Sequence, residues 1–423
     1  MMTSKSFSMQ DELKSCYIFL DTGDTPQVVA KYVLDQSTYT FIYGKSYLEL
    51  NDSFELDPIN LPFIQPNAPY VTTHKDGFGV LADATPDNWG RKLTLSQHTR
   101  VPLNQIEWLI SARGNAVGCL VASLSSKAIK GSNQSSYVHF DDLKSYLKLS
   151  KAIDQQEDPR TISFMSDNYL EKLIHHGSSM GGARPKVIVH HNNIEWIAKF
   201  NKDDDLFDNA KVEYASMKMA RAMGLNVSNV MLEEVAGSPI LLVERFDRNC
   251  IERKKHYISA NSLMNIRKIR VGDLKMSYMN LSKICSQICY DAISNQKELF
   301  KRMILNIMIS NTDDHLKNHG FLMYDMKNHR YALSPLFDVL PHGARASYPK
   351  EHALAIGEEG RVGTLRNALS RCNAFGLNHN EALNIIKDVR DVLECRRVFL
   401  KEAELTDYQI TQLDHYYHLE IRI

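Results

Sequence analysis

Residues 311–318 read NTDDHLKN and directly follow the apolar, helix-spaced stretch ELFKRMILNIMIS of residues 298–310. A carboxylate and an amide five residues apart in one loop suit phosphoryl transfer, because that reaction asks a protein mainly to position groups and to stabilise charge. We interpret Asp313 as the group that orients an attacking hydroxyl, and Asn318 as a magnesium ligand. An ordinary loop at the end of a helix is the structural alternative.

A second carboxylate follows a predicted β-hairpin. Residues 320–325 (GFLMYD) and 329–335 (HRYALSP) have strand-like patterns, and the chain then reads Leu336-Phe337-Asp338. Mg²⁺ prefers oxygen ligands and takes few of them from protein. We therefore predict that Asp338 is a metal ligand, with a simple turn as the alternative.

A glycine turn and a lysine precede these blocks. Residues 178–186 read SSMGGARPK and enter a hairpin, VIV-HHNN-IEWIAKF, over residues 187–200. Glycines lack a Cβ, so Gly181 and Gly182 would let backbone amides approach phosphates. Lys199 shares a strand face with Ile197 and would meet phosphate oxygens. Alternatively, the glycine turn could be purely structural and Lys199 could simply face solvent. The Walker A sequence is absent.

A helix and a buried strand follow. Residues 208–227 predict a helix with Asp208 or Asn209 as N-cap and Gly224 as its stop. Glu213 lies in its first turn, and its pairing with Lys199 would rest on kinase-like order alone. Residues 239–248 (PILLVERFDR) predict a buried strand that ends in charged residues.

Length and composition indicate an ordinary globular protein of two or three packed parts. The chain has 423 residues, of which 43% are apolar and 24% charged, and its formal net charge is zero. Zero net charge argues against autonomous nucleic-acid binding by bulk charge. The polar N-terminus, the lack of a long apolar run and an odd number of scattered cysteines predict a cytoplasmic protein with reduced thiols.

The blocks SSMGGARPK, VERFDR, NTDDHLKN and SPLFDVL resemble the signature blocks of the HipA family, the serine/threonine kinase toxins of bacterial toxin–antitoxin pairs. TPDNWGR (85–91) and ARGNAVGCL (112–120) extend the resemblance to the N-terminal region. It implies an α+β fold with a protein-kinase-like nucleotide site. We expect an N-terminal subdomain of strands and helices (1–165), a β-rich nucleotide-binding lobe (166–259) and an all-helical C-terminal lobe (260–423) that carries the catalytic loop.

The resemblance also implies roles for single residues. Asp313 matches the catalytic aspartate, Asn318 and Asp338 match the Mg²⁺ ligands, and residues 244–246 would line the adenine as a hinge. Asp314 stands where the family often has glycine, and Arg184-Pro185 where some relatives have Gln-Glu. The residues expected to bind ATP are Ser179, Gly181, Gly182, Ala183, Arg184, Lys186, Lys199, Glu244, Arg245, Phe246, His315, Lys317, Asn318 and Phe337.

Partners follow from the same resemblance. It implies a small helix-turn-helix antitoxin like HipB, contact with operator DNA only through that antitoxin, and a protein substrate among translation factors, such as an aminoacyl-tRNA synthetase. Two alternatives stay open: a kinase that acts on a small molecule, and an inactive nucleotide-binding subunit that co-represses transcription with a DNA-binding partner.

Overall fold

The computed structural model describes residues 12–22, 25–64, 68–86, 88–97, 101–129, 138–155, 167–177, 184–250, 253–265, 275–325, 328, 330–342 and 349–420. The strands are β1 (Ser15–Leu20), β2 (Gln27–Asp35), β3 (Thr38–Tyr43), β4 (Tyr70–Thr72), β5 (Leu120–Ser123), β6 (Lys186–His191), β7 (Ile194–Phe200), β8 (Val230–Val235), β9 (Ser238–Glu244), β10 (Arg248–Cys250), β11 (Arg253–Lys254), β12 (Tyr257–Ser259), β13 (Gly320–Asp325) and β14 (Arg330–Leu333). The α-helices are α1 (Lys45–Leu48), α2 (Gly79–Asp83), α3 (Asn88–Gln97), α4 (Gln105–Ala112), α5 (Leu143–Asp154), α6 (Asp167–Gly177), α7 (Asn209–Ala222), α8 (Ala260–Leu263), α9 (Tyr278–Ile288), α10 (Ala292–Met308), α11 (Leu365–Leu369), α12 (His379–Glu394), α13 (Arg396–Glu402) and α14 (Asp407–Leu413). Short 3-10 helices lie at Phe140–Asp142, Leu316–Asn318, Cys372–Phe375 and Asp414–Tyr416.

The chain forms two compact units. The first comprises Met1–Lys202 and Asp247–Ile258, and the second comprises Asp203–Phe246 and Ser259–Ile423. The division into three parts at residues 165 and 259 stays a prediction.

The first unit is built around an antiparallel sheet with strand order β4-β3-β2-β1-β5. Side chains alternate between the two faces of a strand, and in β3 the buried positions are Tyr39, Phe41 and Tyr43. Trp89 of α3 is fully buried, and its Nε1–H donates to the carbonyl of Lys186 at 3.1 Å. The Tyr146 hydroxyl donates to the same carbonyl at 2.7 Å, so this helical layer fixes the start of β6.

The hairpin of β6 and β7 has the predicted form. Its two-residue turn consists of Asn192 and Asn193, both at positive φ (51° and 62°), as a type I′ turn requires. The register pairs Lys186 with Lys199. Trp196 lies on the buried face of β7, whereas Lys199 lies on the other face.

The second unit begins with the predicted helix. The side chain of Asp208 caps α7 by accepting from the N–H of Lys211 at 3.2 Å. Gly224 follows the helix at φ 77°, a conformation that favours glycine. A hairpin of β8 and β9 comes next and turns at Ala236 and Gly237, also at positive φ.

Helices and one further hairpin complete this unit. The long helix α10 packs against α9 and α12 and buries Phe300, Ile304 and Ile307. The chain then forms the predicted antiparallel hairpin of β13 and β14 before the C-terminal helices α11 to α14. The fold class is therefore α+β, as predicted. In the part of the chain that the structure describes, no helix has the length and apolar character needed to cross a membrane.

Candidate active site

The loop with the strongest sequence signal lies between the end of α10 and the start of β13. Ser310 has a positive φ of 55°, which turns the chain out of the helix. Burial then alternates along the loop: Asp313, His315 and Lys317 are exposed, and the residues between them are buried. The outward carboxylate of Asp313 is thus accessible to a hydroxyl substrate, as its predicted role requires.

Asn318 lies at the other end of this loop. It is buried, with 7% of its surface exposed, and its N–H donates to the carbonyl of His315 at 2.9 Å. This bond closes the short 3-10 turn of residues 316–318. A buried amide on a closed turn is held in one position, and its oxygen is a suitable magnesium ligand.

Asp314 has a different environment from its neighbours. Its carboxylate is buried, accepts a hydrogen bond from the Tyr278 hydroxyl, and lies 2.9 Å from Nε2 of His319. Burial alone would raise the pKa of Asp314, but the nearby His319 and the hydrogen bonds hold that pKa below its usual range. Burial and the Asp314 charge together raise the pKa of Tyr278 well above its usual range. The pair therefore consists of a carboxylate and a neutral phenol.

Backbone hydrogen bonds fix the segment that leads to Asp338. The N–H of Leu336 donates to the carbonyl of Asn226 at 2.7 Å, and the N–H of Ser228 donates back to the carbonyl of Leu336 at 3.3 Å. The fully buried Arg302 of α10 donates through Nη2 to the carbonyl of Ser334 at 2.8 Å. The chain is thus pinned on two sides just before Phe337 and Asp338.

Asp338 itself is exposed and has a φ of 63°. This left-handed conformation is uncommon outside glycine and costs free energy, and such residues cluster at functional sites. The observation supports Asp338 as a site residue.

The predicted adenine hinge lies in the same unit. The ring of Phe246 packs on the ring of Phe337, with 5.4 Å between centroids. Arg245 is buried, and the carboxylate of Glu244 accepts from Nδ2 of Asn229 at 2.6 Å. The structure thus brings the hinge sequence against the Phe-Asp block, although the two are about 90 residues apart in the chain.

The segment after Asp338 returns to the loop. The N–H of His342 donates to the carbonyl of Ser310 at 3.0 Å, and the N–H of Ala353 donates to the carbonyl of Thr312 at 3.0 Å. Four residues of chain span at most about 14 Å. Asp338 therefore lies within about 14 Å of His342 in Cα distance, and His342 is bonded to Ser310, at the start of the loop that carries Asp313.

For the other residues predicted at the nucleotide site, the structure gives mainly their unit and their burial. Arg184, Lys186 and Lys199 lie in the first unit, where Lys186 is buried and the other two are partly exposed. Ser179, Gly181, Gly182 and Ala183 lie outside the described residues. Glu213 is buried on α7 of the second unit, and its pairing with Lys199 stays a prediction.

The predicted metal ligands suit magnesium. In the described ranges no group of three or more His, Cys, Asp or Glu side chains is arranged to hold a metal ion. The two predicted ligands, an amide oxygen from Asn318 and a carboxylate from Asp338, would form a smaller, all-oxygen set. Mg²⁺ usually completes such a set with water and substrate phosphates, so these two residues fit it.

Comparison with known proteins identifies the family of the chain. The family described as HipA-like C-terminal domain matches residues 178–395, which is more than half of the chain. The chain belongs to this family. The resemblance drawn from the signature blocks is thereby confirmed.

Two curated relatives match part of this HipA-like chain. A putative kinase of Haemophilus influenzae is 27% identical over 183 residues, which cover 39% of this chain and 52% of that protein. The serine/threonine-protein kinase toxin HipA of Shewanella oneidensis is 24% identical over 213 residues, which cover 43% of this chain and 47% of that protein. The chain thus matches about half the length of these curated relatives.

One solved structure matches nearly the whole HipA-like chain. It is HipA from Shewanella oneidensis MR-1, in a complex with HipB and operator DNA. The TM-score is 0.69 at 16% identity, and the match covers 95% of this chain and 94% of that one. At this identity the likeness shows the fold, which is HipA-like as predicted.

Three candidate residues of the site carry almost no sequence signal. Asp314 stands out in the sequence only as a departure from the family pattern, and no local pattern singles out Tyr278 or His319. Tyr278 lies 36 residues before Asp314, so no local spacing links the two. The one further hint is that Asp314 is a second acidic residue directly after Asp313.

Proposed function

We propose that this chain is an ATP- and Mg²⁺-dependent serine/threonine protein kinase of the HipA type. One observation carries the proposal: the exposed Asp313 and the buried Asn318 lie five residues apart on the loop between α10 and β13. In the same unit, Asp338 follows a pinned segment and its neighbour Phe337 packs on Phe246. The names of both curated relatives agree with kinase activity.

The chemistry assigned to the protein is mainly positional. Asp313 accepts a hydrogen bond from a serine or threonine hydroxyl and orients its oxygen towards the γ-phosphorus of ATP. The new O–P bond forms as the bond to the ADP oxygen breaks, and the hydroxyl proton passes to Asp313. The outward position of this carboxylate leaves room for a protein substrate.

Nucleotide and metal binding fall to neighbouring residues. Asn318 and Asp338 would hold Mg²⁺, which when bound neutralises charge on the phosphates. Phe246 and Phe337 offer apolar surface for the adenine. The roles of His315, Lys317 and the predicted residues of the first unit stay predictions.

The biological role that we propose is that of a growth-arresting toxin in the cytoplasm. One relative is named a kinase toxin, and the solved HipA structure contains HipB and operator DNA. By analogy, this chain would pair with a small helix-turn-helix antitoxin and reach operator DNA only through it. A translation factor, such as an aminoacyl-tRNA synthetase, is the substrate class that we propose.

Phosphosite mapping in cells tests this proposal. Cells expressing the wild type, Asp313→Asn, or Asp388→Asn would be compared by mass spectrometry and by growth. Asp388 is also an exposed aspartate but lies on α12. New phosphoserine or phosphothreonine sites and growth arrest are expected with the wild type and Asp388→Asn, and neither with Asp313→Asn. Equal phosphosites in all three strains would contradict the proposal.

A further inference from the structure

A buried polar cluster surrounds Asp314, the neighbour of the exposed Asp313 in the chain, and the proposed chemistry makes no use of it. The side chains of this cluster share two properties: each is at most 4% exposed, and each is hydrogen-bonded to another member. The members are Tyr278, Asn306, Asn311, Asp314 and His319.

Asp314 is the centre of the cluster. Its Oδ2 accepts from the Tyr278 hydroxyl and from Nε2 of His319, which donates because a carboxylate can only accept. Hydrogen bonds to an ionised group are about twice as strong as neutral ones. Two such bonds from fully buried partners leave this side chain little freedom to move.

The cluster holds the loop at both ends as well as in its middle. Nδ2 of Asn306 donates to the Tyr278 hydroxyl at 3.2 Å, and Nδ2 of Asn311 donates to Oδ1 of Asn306 at 3.0 Å. At the far end the carbonyl of His319 accepts from the N–H of Ala260 at 2.8 Å. Residues 311, 314 and 319 are therefore all tied to helices around the loop.

Alternation of side chains links this anchoring to Asp313. Residues 313 and 314 are neighbours with opposite burial, so a fixed inward Asp314 requires an outward Asp313. The other outward and inward residues up to Asn318 follow the same pattern. Free movement of residue 314 would displace both proposed functional groups. A displacement of about 1 Å can reduce a catalysed rate by about a hundredfold.

We infer that Tyr278, Asp314 and His319 form a positioning triad that holds Asp313 and Asn318 in their working orientation. This inference rests on the proposed kinase function. The three residues act through the loop and do not touch substrate. A purely structural cluster would alter stability, but it would leave the maximal rate of the folded protein unchanged.

The test uses the full chain with single substitutions. Tyr278→Phe removes one donor to Asp314, His319→Leu removes the other, and His319→Gln restores a donor of similar reach. Ser282→Ala is the matched control, because Ser282 lies one turn further along α9, is equally buried, and bonds instead to the carbonyl of Ala374. All proteins would be compared below their melting temperatures.

Two measurements decide the outcome. The first is hydrogen exchange of the amides in residues 310–320, which we expect to rise about tenfold or more in Tyr278→Phe and His319→Leu. The second is the maximal rate of labelled-phosphate transfer to protein at saturating Mg-ATP. We expect it to fall by about 10 to 100-fold, with the half-saturating Mg-ATP concentration changed by less than about threefold. His319→Gln should recover much of both losses, and Ser282→Ala should show neither.

The two measurements distinguish failure of this inference from failure of the proposed kinase function. A wild-type protein that binds Mg-ATP but transfers no phosphate would refute the function, while hydrogen exchange would still decide whether the triad orders the loop. Unchanged exchange in Tyr278→Phe and His319→Leu would overturn the inference. Raised exchange with an unchanged maximal rate would overturn it too, because the cluster would then be only structural.

Discussion

Asp57 in the first unit and Asp314 in the second are both buried, but the pKa values of their carboxyls shift in opposite directions. Asp57 of the first unit is 2% exposed, and Asp314 of the second is 4% exposed. Burial raises the pKa of the Asp57 carboxyl to about 6. The hydrogen bonds from Asn60 and Ile59 lower this pKa but do not outweigh burial. The pKa of Asp314 lies below its usual range, because His319 and Tyr278 outweigh the effect of burial.

The difference lies in where the partners come from. Asp57 accepts from the backbone of Ile59 at 3.0 Å and from the backbone and side chain of Asn60 at 2.9 Å, all within three residues. Such a local turn satisfies the oxygens but supplies no cation. The partners of Asp314 include a histidine and lie on separate elements. Burial alone therefore does not decide the charge preference of an aspartate: burial raises the pKa of Asp57, whereas the partners of Asp314 outweigh burial and lower its pKa.

Removing the charge of Asp314 is expected to have the largest effect on stability. The buried Asp314 carboxylate accepts hydrogen bonds from Tyr278 and His319, and Asp314→Asn removes the charge that strengthens both. Hydrogen bonds to a charged group contribute about 1.5–3 kcal/mol each, so the loss should be of that order. Asp57→Asn should cost much less, because it removes a charge that its surroundings disfavour. Chemical denaturation at pH 7 measures both free energies of unfolding. A smaller loss for Asp314→Asn than for Asp57→Asn would contradict this view of the two sites.

Asp313, the exposed neighbour of Asp314, should behave in the opposite way: its substitution should lower activity and leave stability nearly unchanged. Asp313→Asn removes the carboxylate that orients the hydroxyl, so the rate of phosphate transfer should fall by about a hundredfold or more. The melting temperature should stay close to that of the wild type, because the side chain is exposed. Purified protein, γ-labelled Mg-ATP and a thermal melt measure both quantities. Substantial transfer by Asp313→Asn would refute its catalytic role, and Asp388→Asn serves as the surface control.

Much of the local structure around the candidate site is predictable from sequence, because its signals are local. The block at residues 311–318, the hairpins around it and the helix capped by Asp208 each follow from spacing within a few residues. The Asn192-Asn193 turn likewise follows from residue type, since asparagine tolerates positive φ. Local patterns of this kind are enough to single out Asp313, Asn318 and Asp338 as candidate site residues.

Features that depend on tertiary contacts are not predictable in this way. The bond between Tyr278 and Asp314 joins residues 36 apart, and the ring contact of Phe246 with Phe337 joins residues that are further apart still. Leu336, two residues before Asp338, is bonded to Asn226 and Ser228, which no pattern around residue 338 reveals. Local sequence therefore identifies the chemical groups, whereas the contacts that support them form only in the packed chain.

Asp338 offers a test of binding without a large change in the fold. Mg-ATP at about 100 times its dissociation constant should stabilise the wild type by about 2.7 kcal/mol, which a thermal melt detects. Asp338→Ala should show much less of this shift, because one of the two proposed metal ligands is gone. Its exposed position makes it a cleaner probe than the buried Asn318. Melts with ATP and EDTA give the metal-free baseline, and equal shifts in both proteins would mean that Asp338 does not bind the metal.

The smallest expected effect concerns pH and Asp57. Its pKa is raised to about 6 in the folded protein from about 3.9 in an unfolded chain. Its contribution to stability is therefore complete below about pH 4 and is lost as the pH rises through about 6. From pH 5 to pH 7 this loss amounts to about 1 kcal/mol. Asp57→Asn should not show it.

The measurement is the difference in unfolding free energy between the wild type and Asp57→Asn at pH 5, 6 and 7. Burial lowers the pKa values of His256 and His352 to about 4. These histidines therefore stabilise the folded state less as the pH falls, which is a trend opposite to that of Asp57. Because both proteins contain them, the difference between wild type and Asp57→Asn removes this trend. A flat line for Asp57→Asn would show that the N–H donors of its turn stabilise the charged carboxylate fully. The contrast between the two buried aspartates would then lose its electrostatic basis.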